Sequence, residues 1–127
     1  MRGEKILVVD DIPMNIELVT DLLEVAGYEV IQAETAETGI EMARVEVPDL
    51  ILMDIGLPGM DGLAATGILK QDQLTKDIPV IAHTSHAMKE DKERIMAAGC
   101  DGYITKPIDT LEFPKLIAHF LEPSESG

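Results

Sequence analysis

Five short apolar runs, each stopped by polar or turn residues, constrain this chain more than any other feature. They are Ile6–Val9 (ILVV), Val30–Ala33 (VIQA), Leu50–Met53 (LILM), Val80–Ala82 (VIA) and a weaker Tyr103-Ile104. Apolar residues at consecutive positions leave a strand no polar face, so such runs predict strands buried on both sides, as in a parallel sheet. Buried helix is the competing reading of an apolar run, but these are too short and too rich in Val and Ile. The segments between them carry helical spacing. Ile12, Ile16, Val19, Leu23 and Ala26 recur at three and four residues, and Leu18, Leu22 and Val25 widen that face. Pro13 suits a first helical turn and Gly27 the residue just past a helix end. Further helices are predicted from Thr35 to before Pro48, from Gly62 to about Gln71, from Lys89 to Ala98, and from about Thr110 to Leu121.

The order is β-α five times over. Right-handed crossovers then give an α/β fold, a doubly wound five-stranded parallel sheet with five helices. A chain of 127 residues fits one such domain, placed at residues 1–122 with 123–127 as a disordered tail. Two Tyr, two Phe and no Trp mean that the core must be aliphatic. The net charge of −14 serves solubility first. It also repels phosphate backbones and anionic lipid, so nucleic acid is not expected as a direct partner. No segment approaches the length of a membrane-spanning helix, so no membrane insertion is expected, and a cytoplasmic protein is the default. The one cysteine, Cys100, reads as a small buried residue rather than a reactive thiol.

In sheets of this kind sites form beyond the carboxyl ends of the strands. There the first run ends in Asp10-Asp11, the third in Asp54, the fourth in Thr84-Ser85 and the fifth in Thr105-Lys106-Pro107. Each has an ordinary reading alone: a helix N-cap for the acid pair, a turn for Asp54, β-propensity for Thr84, a solvated loop for Lys106. Together they converge on one edge. Three carboxylates repel one another unless a cation balances them, and Mg²⁺ is the hard, oxygen-seeking candidate. With Lys106 as a second positive charge and Thr84 as a hydroxyl donor, such a site can accept a phosphoryl group. A carboxylate attacking phosphorus yields an acyl phosphate.

The motifs ILVVDD, LILMDIGLPGMDG, VIAHTSHAM and AAGCDGYITKPI occur in the order and spacing of one family. Over residues 4–121 the chain resembles the receiver domain of two-component response regulators, and through it the flavodoxin-like fold. The resemblance implies the roles that follow. Asp54 is the phosphoacceptor. Asp11 is a direct Mg²⁺ ligand and Asp10 acts on the metal through water. Asp54 and the main-chain carbonyl of Gly56 complete the protein ligands, and Mn²⁺ could substitute. Thr84 is the hydroxyl that moves to the phosphoryl oxygen, and Tyr103 is the aromatic that changes rotamer with it. Lys106 pairs with the acceptor and then with the phosphoryl group, and Pro107 is a site of a cis peptide.

The implied partners are a histidine kinase or histidine phosphotransfer protein as donor, and a downstream protein on the face of the fourth helix, fifth strand and fifth helix. Self-dephosphorylation is implied too. Asn15 and VIAHTSHAM resemble phosphorelay receivers, either single-domain regulators or hybrid-kinase receivers. Gly56 and His86 stand at the two positions that border the phosphoryl group, so His86→Ala is expected to change the dephosphorylation rate. His83 stands where the family more often has an apolar residue. With His86 it makes only a superficial metal pair, since no further His or Cys completes a tetrahedral site.

The competing function from another class is a Mg²⁺-dependent phosphohydrolase with an aspartyl nucleophile. It needs a general acid soon after the nucleophile, where this chain has Ile55 and Gly56. A flavin carrier would want a Ser/Thr/Gly loop after the first strand, where this chain has Asp-Asp-Ile-Pro. Neither a Walker loop nor GxGxxG is present.

Overall fold

A computed structural model describes residues 3–56, 61–84, 89–106 and 108–121. The elements alternate as expected: β1 (Lys5–Val9), α1 (Pro13–Val25), β2 (Glu29–Ala33), α2 (Ala36–Glu46), β3 (Leu50–Asp54), α3 (Gly62–Gln71), β4 (Val80–Thr84), α4 (Lys89–Ala97), β5 (Gly102–Thr105) and α5 (Phe113–Leu121). The five strands form one parallel sheet in the order β2-β1-β3-β4-β5. The chain steps from β1 to β2 on one side and then crosses to β3 on the other, so the order reverses between β1 and β3.

Side chains alternate across the sheet and feed two cores. Ile6, Val8, Leu50, Leu52, Ile81 and Ile104 pack with Val19 and Leu23 of α1 and with Phe113 and Ile117 of α5. Leu7, Val9, Ile51, Met53, Val80 and Ala82 pack with Ala43 of α2, Ala65 and Leu69 of α3 and Ile95 of α4. Two helices cover one face and three the other.

Burial on both faces holds for β1, β3 and β4. It does not hold for β2, which is buried only at Ala33, or for β5, buried only at Ile104. These two are the edge strands, and an edge strand meets fewer neighbours whatever its composition. In α1 the core-facing residues are Ile16, Val19 and Leu23. Leu18 and Val25 face solvent, so the apolar face is narrower than the sequence pattern. Pro13 opens α1, and Gly27 follows it at φ 98°, a conformation that a side chain resists. α5 begins at Phe113 rather than near Thr110. The Asp109 carboxylate accepts the Leu111 and Glu112 N–H groups and holds residues 110–112 as a turn. Four sequence expectations lie outside the described residues: Ser85, His86, the peptide at Pro107, and the tail at 123–127.

Candidate functional site

The site gathers at the carboxyl ends of β1, β3, β4 and β5. The Asp10 N–H donates to Ala33 O, which ties the end of β1 to β2. The Asp10 carboxylate turns back to accept the Ile12 N–H at 2.9 Å. The N-cap of α1 is therefore Ile12, with Pro13 behind it, and Asp10 stays under the site rather than capping the helix. Asp11, next in the chain, is exposed.

Asp54 is the last residue of β3, with 4% of its surface exposed. Its Oδ1 accepts the Gly56 N–H at 2.9 Å, which fixes the carboxylate at the start of the turn. The start of α3 is fixed by sterics. A Cβ on Gly62 would lie 2.4 Å from Asp54 O and 2.8 Å from Ile55 Cα, so only glycine lets α3 start this close to β3. Asp61 caps α3 by accepting the Ala64 N–H. Gly56 is different, since among the described residues a Cβ there would touch only Asp54 Oδ1, at 3.6 Å. A Cβ would fit beside Asp54 among the described residues, and this chain leaves the position bare.

Lys106 follows β5. Its N–H donates to Thr84 O at 2.7 Å, which sets it beside the end of β4. From there Nζ reaches 3.4 Å from Asp54 Oδ2 and 3.9 Å from Asp10 Oδ2. Asp10, Asp11 and Asp54 each offer an oxygen within 4.8 Å of the others. Burial pushes the Asp10 carboxyl above its ordinary range, and the nearby Asp54 and Asp11 charges add to this. The Ile12 N–H and the Lys106 ammonium pull the other way. That is the like-charge crowding the sequence implies. Three oxygen donors that repel one another are a fitting donor set for a hard divalent cation.

Asp11 and Asp54 open on a cleft of about 380 Å³ that also meets Ile12, Ile55, Gly56, Thr84 and Lys106, and Asp10 lies buried behind it. Two of its walls carry no motif in the sequence. They are Asp91 and Arg94 on α4, paired at 3.3 Å one helical turn apart. Only their i, i+3 spacing hints at the pairing, and nothing local points them at the cleft. Tyr103 stands apart from the cleft. It is half-buried on the α4 side of the sheet, with the Lys92 ammonium 5.6 Å over its ring.

His83 is the largest surprise of the site. It is paired in register with Asp54 and is 3% exposed, and its Nε2 has no hydrogen-bond partner among the described residues. Burial lowers its pKa to about 4, helped by the Lys106 ammonium and opposed by Asp54. It is a neutral imidazole inside a charged site. Cys100 is buried, as expected, and its pKa is raised by that burial.

The sequence matches the response regulator receiver domain family over residues 6–118. It is 44% identical over 118 residues to the polar-differentiation response regulator DivK of Brucella ovis, covering 93% of this chain and 96% of that protein. Among solved structures it is similar to the receiver domain of the sensor histidine kinase PA1611 from Pseudomonas aeruginosa, which has a magnesium ion coordinated in its active-site cleft. The TM-score is 0.87 at 30% identity, over 94% of this chain and 98% of that one. It is also similar to the chemotaxis protein CheY4 of Vibrio cholerae, with a TM-score of 0.89 at 26% identity, over 93% and 98% of the two chains.

Proposed function

This chain belongs to the response regulator receiver domain family, and from that premise we propose that it is a signalling switch driven by phosphorylation of Asp54. Receiver domains are signalling switches rather than conventional enzymes. The single observation that carries the residue-level reading is the reach of Lys106 Nζ to both Asp54 and Asp10 above a crowded carboxylate trio. Asp10 and Asp54 are both fixed by a backbone N–H and reached by the ammonium, and Asp54 is the acceptor in this reading because it is the one of the two that lines the cleft.

In this reading the Asp54 carboxylate attacks the phosphorus of a phosphohistidine on a histidine kinase or histidine phosphotransfer protein. The P–N bond breaks and the donor imidazole leaves. Asp10, Asp11, Asp54 and the Gly56 carbonyl would hold Mg²⁺, or Mn²⁺ in its place, which supplies charge neutralisation at the phosphoryl oxygens. Lys106 follows the charge outward onto the phosphoryl group, and the Thr84 hydroxyl donates to one of its oxygens. Nearly complete switching needs about 5.5 kcal/mol of differential stabilisation. Two charge-assisted contacts of roughly 1.5–3 kcal/mol each are of that order. Loss of the phosphoryl group to water at the same site resets the switch, and bare Gly56 leaves that water room.

Output runs through the α4–β5–α5 face, by protein contact or by onward phosphorelay, in the cytoplasm. Tyr103 under Lys92 is the readout on that face, and the groove beside it is walled by Asp109, Glu112, Phe113 and Leu116. The net charge of −14 supports a protein partner over nucleic acid. No described helix is long and apolar enough to cross a membrane.

Incubation with phosphoramidate and Mg²⁺, followed by intact-mass measurement, tests the reading. One phosphoryl addition that disappears in Asp54→Asn is the expected result. An addition that survives in Asp54→Asn, or steady turnover of an ordinary phosphomonoester, would reject it.

A further inference from the structure

His83 is a polar residue in the middle strand of the site, and neither metal binding nor phosphoryl transfer uses it. Its position follows from register. Asp54 pairs with His83, and His83 pairs with Ile104. Partners in a parallel ladder point to the same face. The imidazole therefore lies beside the Asp54 side chain, on the face that carries Ile81, Ile104, α1 and α5.

The strand order adds a second constraint. β4 lies between β3 and β5, and neighbouring strands stand about 4.8 Å apart. Lys106 leaves β5, is tied to Thr84 O, and still brings Nζ to Asp54 on β3. Its stem must cross the end of β4, next to His83. That crossing runs beside a buried imidazole whose Nε2 finds no partner among the described residues. A buried polar atom left unpaired raises the free energy of the state that contains it.

We propose that His83 is a positioning residue of the switch: its Nε2, without a partner among the described residues and covered while Lys106 reaches back to the bare Asp54 carboxylate, raises the free energy of the unphosphorylated arrangement and so favours the forward movement of Lys106. This rests on the reading of Asp54 as phosphoacceptor. When Lys106 follows a phosphoryl group outward, the cover over Nε2 lifts and the nitrogen gains a partner from solvent. An apolar residue at 83 would lose nothing in the unphosphorylated state and gain nothing in the other.

The test uses the full chain and beryllofluoride with Mg²⁺ as a stable mimic of the phosphoryl group. His83→Leu is expected to raise the melting temperature of the unliganded protein. It should weaken beryllofluoride binding about tenfold, the equivalent of one buried unpaired polar group. His83→Gln, which keeps a polar end, should stay within about threefold of the parent, a difference of under about 0.7 kcal/mol. Equal affinity in Leu and parent would overturn the proposal, as would a lower melting temperature in Leu and in the smaller His83→Val alike. Failure of both apolar variants to fold would overturn it too, since the imidazole would then be a stabilising core residue. If the parent itself binds no beryllofluoride, the phosphoacceptor reading is the one that fails.

Discussion

The two ends of the sheet are built on opposite principles. At the amino ends of the strands several charged groups pair with backbone and with one another, although the buried Glu4 Oε1 has no partner among the described residues. Lys5 N–H donates to Asp49 Oδ2 at 2.8 Å, Asp49 N–H returns to Lys5 O, and Lys5 Nζ meets Glu46 at 2.8 Å. At the start of β4, Asp101 Oδ2 accepts both the Val80 N–H and the Lys70 ammonium, and Lys70 also donates to Ile78 O. At the carboxyl ends three carboxylates crowd together, one ammonium serves two of them at 3.4 and 3.9 Å, and a buried imidazole has a nitrogen without a partner among the described residues. One edge closes the fold. The other holds unbalanced charge, which is what a site needs if an incoming cation and phosphoryl group are to change its energy.

The largest expected effect that separates the edges is on pH. His83 has a folded pKa of about 4, below its ordinary 6.5, so the unfolded chain takes up its proton first as pH falls. Stability from this group is complete above pH 6.5 and is lost as pH falls towards 4. The loss is on the order of 3 kcal/mol in the metal-free protein. Denaturant titrations in EDTA should show it as a parent-minus-His83→Leu difference that grows through that window. A flat difference would mean that the imidazole is solvated.

Asp10→Asn comes next. It should weaken Mg²⁺ binding about 10–100-fold, as loss of an outer ligand does. The same change should raise the melting temperature in EDTA, because it removes a charge that burial and Asp54 disfavour. Destabilisation in EDTA would place Asp10 with the closing edge instead.

Asp101→Ala should do the reverse at the other edge. It leaves the Val80 N–H and Lys70 without their shared acceptor, costs about 1–2 kcal/mol, and should leave the rate of phosphorylation by phosphoramidate unchanged. A changed rate would show that the two edges are coupled. The smallest effect is at Val47, which ends α2 at φ 45°, where a β-branched side chain is strained. Val47→Gly should stabilise by about 1 kcal/mol in a thermal melt, with Mg²⁺ affinity unmoved.

Most of the fold was legible because its signals are local. Apolar runs mark the strands, and Pro13 and Gly27 mark helix ends through their own backbone preferences. The ends of four runs also announce Asp10, Asp54, Thr84 and Lys106, since Asp54 and Thr84 end their strands and Asp10 and Lys106 follow theirs directly. What was less legible depends on neighbours distant in the chain. The exposure of Leu18 and Val25 follows from which part of α1 the sheet covers. Asp91 and Arg94 reach the cleft only because α4 passes it.

By itself, then, the sequence determined the elements, their order, and the residue that stands at the end of each strand, because pattern and turn chemistry act over a few residues. Only the tertiary structure decided which strands become edges, how far Lys106 must reach, and that His83 lies beside Asp54 with a nitrogen unpaired. Those are matters of register and burial, and they exist only once strands separated by many residues have paired.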